Sequence, residues 1–148
     1  AFGLGRLDLM VGGAMHYRKA VVWEKAMLLA ELVSRLSRRL PPEERYGLRA
    51  QLNRAAVSVP SNIAEGWTRG SRKEKAQFMS IAHGSLGELH TQLLLCSRLG
   101  WLPVADVDRL ISLAFEVGRI LTTLRKALRA SPKASGQPSG HPLVPSSS

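Results

Sequence analysis

At 148 residues and 45% hydrophobic content, the chain has the size and apolar fraction of one globular domain, which excludes the intrinsically disordered class. No run approaches the roughly 18–20 consecutive apolar residues of a membrane-spanning helix. Cys96, the single cysteine, excludes an intrachain disulfide, and 21 Lys+Arg against 11 Asp+Glu give a formal net charge of +10, a field that draws polyanions without specifying a sequence.

The first 16 residues carry no dependable periodicity and are expected to form a flexible extension; they also lack the charged and apolar regions of a secretory leader. A first helical segment is expected from about Tyr17 to Leu40, with Trp23, Ala26, Met27, Ala30, Val33 and Leu40 on its core stripe. Pro41-Pro42 stops it. A second segment is expected from about Glu43 to Glu65, with Leu48, Leu52, Ala55, Val59 and Ile63 on one face, Glu43 and Glu44 in the first turn and Gly66 as C-terminal punctuation. Pro60 lies inside it and removes the hydrogen bond to the Ala56 carbonyl; Ser58, Ser61 and Asn62 stand beside it to return hydrogen bonds to the backbone.

Ser71-Arg72-Lys73-Glu74 reads as a capping box opening a third helix. Its stripe is Phe78, Ala82, Ser85, Leu89, Leu93 and Cys96, and Leu99-Gly100 ends it. Gly84 and Gly87 inside this helix are expected to permit close helix approach. Pro103 leads into a fourth helix, about Val104 to Arg129, with Val107, Leu110, Ala114, Val117, Leu121, Leu124 and Leu128 inward. Residues 131–148, rich in Ser, Pro and Gly, are expected to be a disordered tail. Four helices with short links over 17–130 make an all-α, antiparallel up-down-up-down four-helix bundle.

Three of the helices carry more apolar surface than one stripe requires. Leu28 and Leu32 on the first, Ala50, Val57, Pro60 and Ala64 on the second, and Leu113 and Ile120 on the fourth are therefore expected at a homo-oligomer interface. The basic residues cluster as well. Arg35, Arg38, Arg39, Arg45 and Arg49 gather around the first link, Arg69, Arg72, Lys73 and Lys75 around the second, and Arg54 lies on the polar face of the second helix with Ser58, Ser61 and Glu65. Arg125, Lys126 and Arg129 close the fourth helix. Arginine forks suit phosphate, and with no aromatic residue convincingly interleaved for base stacking, a mode that tracks the backbone of RNA or DNA is expected.

Catalysis finds no constellation. His83 and His90 share a helix face but stand seven apart, whereas helical zinc pairs sit at i, i+4 with a carboxylate beside them. No Glu-x-x-His pair marks a di-iron bundle, and Cys96 falls on a core stripe as an inert thiol. No enzyme activity, metal, cofactor, small-molecule substrate or membrane partner is expected, and the lone cysteine fits a reducing cytoplasm.

The run Ala55-Ala56-Val57-Ser58-Val59-Pro60-Ser61-Asn62-Ile63-Ala64-Glu65-Gly66 closely resembles the central motif of the four-helix bundle proteins encoded in 23S rRNA intervening sequences. Val22-Trp23-Glu24-Lys25-Ala26, Glu44-Arg45-Tyr46-Gly47-Leu48 and Gly84-Ser85-Leu86-Gly87-Glu88-Leu89 support it, over about Tyr17 to Arg129. The resemblance implies an antiparallel bundle without established catalytic activity. Relatives include accessory proteins of diversity-generating retroelements, which implies a pentamer, nucleic acid and a reverse transcriptase as partners. Two functions remain open at this point: an oligomeric nucleic-acid-binding accessory protein, and a protein-protein interaction scaffold whose charge serves solubility.

Overall fold

The computed structural model describes Tyr17 and residues 20–130; the expected extension at 1–16 and tail at 131–148 lie outside the described residues. Four helices follow one another: α1 Val21–Ser37, α2 Leu48–Trp67, α3 Arg72–Arg98 and α4 Val104–Arg129, with a 3-10 turn at Pro42–Glu44 in the first link. No strand occurs among the described residues.

Contacts between neighbouring helices run in opposite directions. Between α1 and α4, Lys25 pairs with Glu116 and Arg39 with Asp106 at 3.2 Å, so rising numbers on one helix meet falling numbers on the other. Between α2 and α3, Ser58 and Ser85 share a 2.8 Å hydroxyl contact, and Gly66 faces Phe78 and Met79. Between α3 and α4, the His90 ring meets Phe115, and Arg72 reaches the Leu128 carbonyl. The result is the all-α up-down-up-down bundle that the periodicity implies.

In α1 the buried residues are Val22, Ala26, Leu29, Val33 and Ser37. This stripe is rotated from the expected one: Met27 is exposed, Trp23 and Ala30 are half-buried, and Leu29 is fully buried. The apolar arc of α1 is wider than one stripe, so its neighbours choose which part faces inward. The helix also stops short of Leu40. Arg38, Arg39 and Leu40 donate to the carbonyls three residues back, which tightens the last turn ahead of the prolines.

The second helix begins at Leu48, not Glu43, because Pro42–Glu44 forms its own short turn. Gly47 at the N-cap has no side chain to cap with, and the Glu44 carboxylate accepts from the Leu48 N–H instead (2.9 Å). Gly66 does not end α2, which continues to Trp67. A methyl group at Gly66 would stand 2.7 Å from both Phe78 Cβ and Met79 Cε, so this glycine is the close approach of α2 to α3. Pro60 is buried inside a continuous α2. Ser61 Oγ donates to the Val57 carbonyl and Asn62 Nδ2 to the Ser58 carbonyl, each at 2.8 Å.

Ser71 caps α3 by accepting from the Glu74 N–H (3.1 Å), and it donates its hydroxyl to the Glu74 carboxylate (2.9 Å). The glutamate thus reaches back to the hydroxyl, a variation on the expected box. Gly100, at φ 74, takes the left-handed conformation that ends α3. Gly84 and Gly87 do not serve helix approach among the described residues: a Cβ at either would meet none of them within 4 Å.

Candidate nucleic-acid interface

α2 is 20 residues long, so the two links at its ends lie about 30 Å apart, and the basic clusters fall at opposite ends of the bundle. At the α1–α2 end, Arg35 pairs with Glu31 one turn back (2.6 Å) and Arg39 with Asp106 (3.2 Å). The Arg45 guanidinium lies 5.5 Å from the ring centroid of exposed Tyr46. Arg38 is exposed and Arg49 half-buried, and neither forms an ion pair among the described residues. Arg54, exposed midway along α2, has none either. Surface pairs of the Arg35–Glu31 kind hold their partners weakly, so these guanidinium groups stay available to a stronger polyanion.

The α2–α3 end differs. Arg69 pairs with Glu65 and lies 4.8 Å from the Phe78 ring centroid, while Lys73 is exposed without an ion pair among the described residues. Arg72 and Lys75 are engaged by the fold's own helix ends. The Arg72 guanidinium donates to the carbonyls of Ala127, Leu128 and Ala130 at the end of α4. Lys75 is only 6% exposed, and its Nζ donates to the Trp67 carbonyl at the end of α2 (2.6 Å). The physical reason is shared. The last carbonyls of a helix lack intrahelical donors and carry the negative end of its dipole, and both helices end beside the start of α3. Burial also holds the Lys75 ammonium below the usual lysine range.

The α3–α4 seam carries a further basic arrangement, drawn from the cluster that closes α4. Arg125 Nη1 (3.4 Å) and Arg129 Nη2 (3.1 Å) both donate to Ser80 Oγ. Their i, i+4 spacing, one turn apart on one face, is the signal that points to them. His83 and His90 are half-buried in the same seam, and the His90 ring meets Phe115 edge-on at 5.2 Å. Burial, and then the Arg125 charge, hold His83 below the usual imidazole range. Among the described residues no group of three His, Cys, Asp or Glu side chains could hold a metal ion. Cys96 is buried, and its thiol is pushed up to about 11 by burial and then by the Glu44 charge, which leaves it unreactive near neutrality.

The residues expected to face another copy divide in two. Leu28, Leu32 and Val57 are exposed, and Val57 lines a groove between α1 and α2 with Met27 and Ala64. Ala50 and Ala64 are half-buried. Pro60 is buried, and Leu113 and Ile120 pack against the core, because the α1 and α3 neighbours cover these sides within one chain. Ile81, Leu94 and Leu95 on α3 and Leu99 at its C-cap are also exposed, which the single clear stripe of that helix did not suggest.

A family model described as 23S rRNA-intervening sequence protein matches residues 18–123. The fold is similar to the crystal structure of a protein of unknown function from the S23 ribosomal protein family of Bacteroides thetaiotaomicron. The two chains are 21% identical and superpose with a TM-score of 0.68, over 72% of this chain and 99% of that one. No curated protein matches the chain.

Proposed function

Because the chain belongs to the 23S rRNA-intervening sequence protein family, we propose that it is an oligomeric, basic, non-catalytic accessory protein that binds the backbone of RNA or DNA. The observation that carries this reading is the set of cations left without a carboxylate: Arg38, Arg49, Arg54 and Lys73 form no ion pair among the described residues, in a chain of formal net charge +10. Such groups replace condensed counterions on a phosphate chain, so binding weakens steeply as salt rises. Ribosomal RNA is the first substrate to try, in keeping with the family's description, and a reverse transcriptase is a protein partner suggested by the resemblance to retroelement accessory proteins.

Self-assembly is part of the proposal. Leu28, Leu32, Met27 and Val57 leave apolar area in water along α1 and α2, and covering it with copies of the chain would repeat the α1–α2 cluster by symmetry into one basic surface. A pentamer is the stoichiometry suggested by resemblance. The same exposed residues favour a second reading, a scaffold that binds another protein.

A gel-shift titration against structured RNA and duplex DNA from low to moderate salt tests the first reading, with light scattering for mass. Retarded complexes that dissolve as salt rises are expected, from a particle heavier than one chain. No shift even at low salt sinks nucleic-acid binding, and a nuclease-insensitive protein partner then supports the scaffold.

A further inference from the structure

A phosphate needs donors, and a base needs an apolar face. The α3–α4 seam offers both in one line. At its end near Ala130 lies a cleft of about 430 Å³ lined by Thr122, Arg125, Lys126 and Arg129, three cations with no carboxylate among the described residues that line it. Arg125 and Arg129 both donate to Ser80 Oγ, which itself donates to the Ala76 carbonyl (3.1 Å). That hydroxyl is then fully used, having one donor and two acceptor sites, while each guanidinium has five N–H donors and gives Ser80 one. Two like charges meet on one neutral oxygen, and neither forms an ion pair among the described residues. An oxyanion in the cleft relieves that repulsion and takes the remaining donors in the forked geometry that arginine gives phosphate.

Thr122 also lines a second, larger groove of about 630 Å³, walled by Ile111, Ala114 and Phe115 of α4 and by Leu86, His83 and His90 of α3. Phe115 is 55% exposed, braced edge-on by the His90 ring. Gly84 and Gly87 line the α3 side with bare backbone. Nothing in the packing of the described residues calls for glycine there, since a Cβ at either position meets none of them within 4 Å, and glycine is less favourable than alanine inside a helix. From Arg125 to Phe115 the seam runs ten residues, about 15 Å. That exceeds the rise of a single stacked nucleotide, about 3.4 Å, so the seam suits several nucleotides in a row.

We propose that the α3–α4 seam seats a short single-stranded nucleic-acid segment, with one phosphate on Arg125 and Arg129 and an unpaired base against Phe115. This deepens the nucleic-acid reading and rests on it. A duplex meets only half of the site, because its bases are already paired and stacked and cannot reach Phe115. A purely apolar helix or peptide would leave three cations unanswered at the cleft.

The test measures anisotropy of a labelled ten-nucleotide single strand and of a hairpin duplex, at low salt, with the full chain. Phe115→Ala is expected to weaken the single strand about ten-fold and leave the duplex unchanged, and Arg125→Gln with Arg129→Gln to weaken both. Gly87→Leu, which fills open space, is expected to weaken the single strand while circular dichroism stays helical. If all three variants bind the single strand like the original chain, while Arg38→Gln with Arg49→Gln weakens it, the seam inference is overturned and the nucleic-acid reading stands. If no chain binds either probe, both fall. If Phe115→Ala or Gly87→Leu lowers the particle mass in light scattering, the seam is a contact between copies and the inference is overturned.

Discussion

The two basic ends of the bundle share a composition and differ in what their cations do. At the α1–α2 end, Arg35 and Arg45 lean on exposed partners and Arg39 on the half-buried Asp106, and Arg38 has no ion pair among the described residues. At the α2–α3 end, Lys75 and Arg72 spend their donors on the terminal carbonyls of α2 and α4. A basic residue beside a helix C-terminus is drawn into the fold, and one beside a carboxylate on the surface is only loosely held. Counting charges along the chain therefore overstates the number of cations held clear of the fold's own carbonyls at one end and not at the other.

The sharpest way to break this contrast is Lys75→Ala. Losing a buried charged donor leaves the Trp67 carbonyl without it, and a loss of about 2 kcal/mol of stability is expected by denaturant melting. A loss no larger than at an exposed lysine such as Lys73 would show that Lys75 is not structural. Arg72→Ala comes next, at about 1 kcal/mol, because its carbonyl contacts are only partly buried. Neither variant should change the slope of nucleic-acid affinity against salt.

At the other end the pattern should invert. Arg38→Gln with Arg49→Gln is expected to shift stability by less than about 0.5 kcal/mol while lowering the slope of log affinity against log salt by about 0.9 for each phosphate that is no longer neutralised. An unchanged slope would remove this end from the interface.

The smallest effect is at His83, read by NMR titration. Its imidazole should titrate below 6.5, and Arg125→Gln should move it back towards that value. The folded chain binds this proton less readily than the unfolded one, so the histidine's contribution to stability is present above about pH 6.5 and declines as pH falls towards the folded value. His83→Gln should flatten that acid slope. A value at or above 6.5 in the folded chain would contradict the burial seen in the seam.

Much of the bundle was legible in local chemistry. The Ser71–Glu74 cap, the end of α3 at Leu99-Gly100 and the inward stripe of α4 each depend on residues a few positions apart, and each appears where the sequence places it. So does the burial of Cys96, which shares a stripe with Leu89 and Leu93. The Glu65–Arg69 pair, one turn apart, follows for the same reason. α1, by contrast, ends at Ser37, before the Leu40 that precedes the prolines.

What periodicity left open was decided by neighbours distant in the chain. The wide apolar arc of α1 could turn either Leu29 or Met27 inward, and packing against α2 and α4 chose Leu29. Gly66 looks like a helix end until Phe78 and Met79 come within 2.7 Å of where its Cβ would be. The basic clusters show the limit most plainly. Sequence alone established that the chain is a cationic four-helix bundle, because amphipathic spacing and net charge are properties of the string. Only the tertiary structure decided which cations remain free, because the carbonyls that capture Arg72 and Lys75 are bared by helix ends that meet in space.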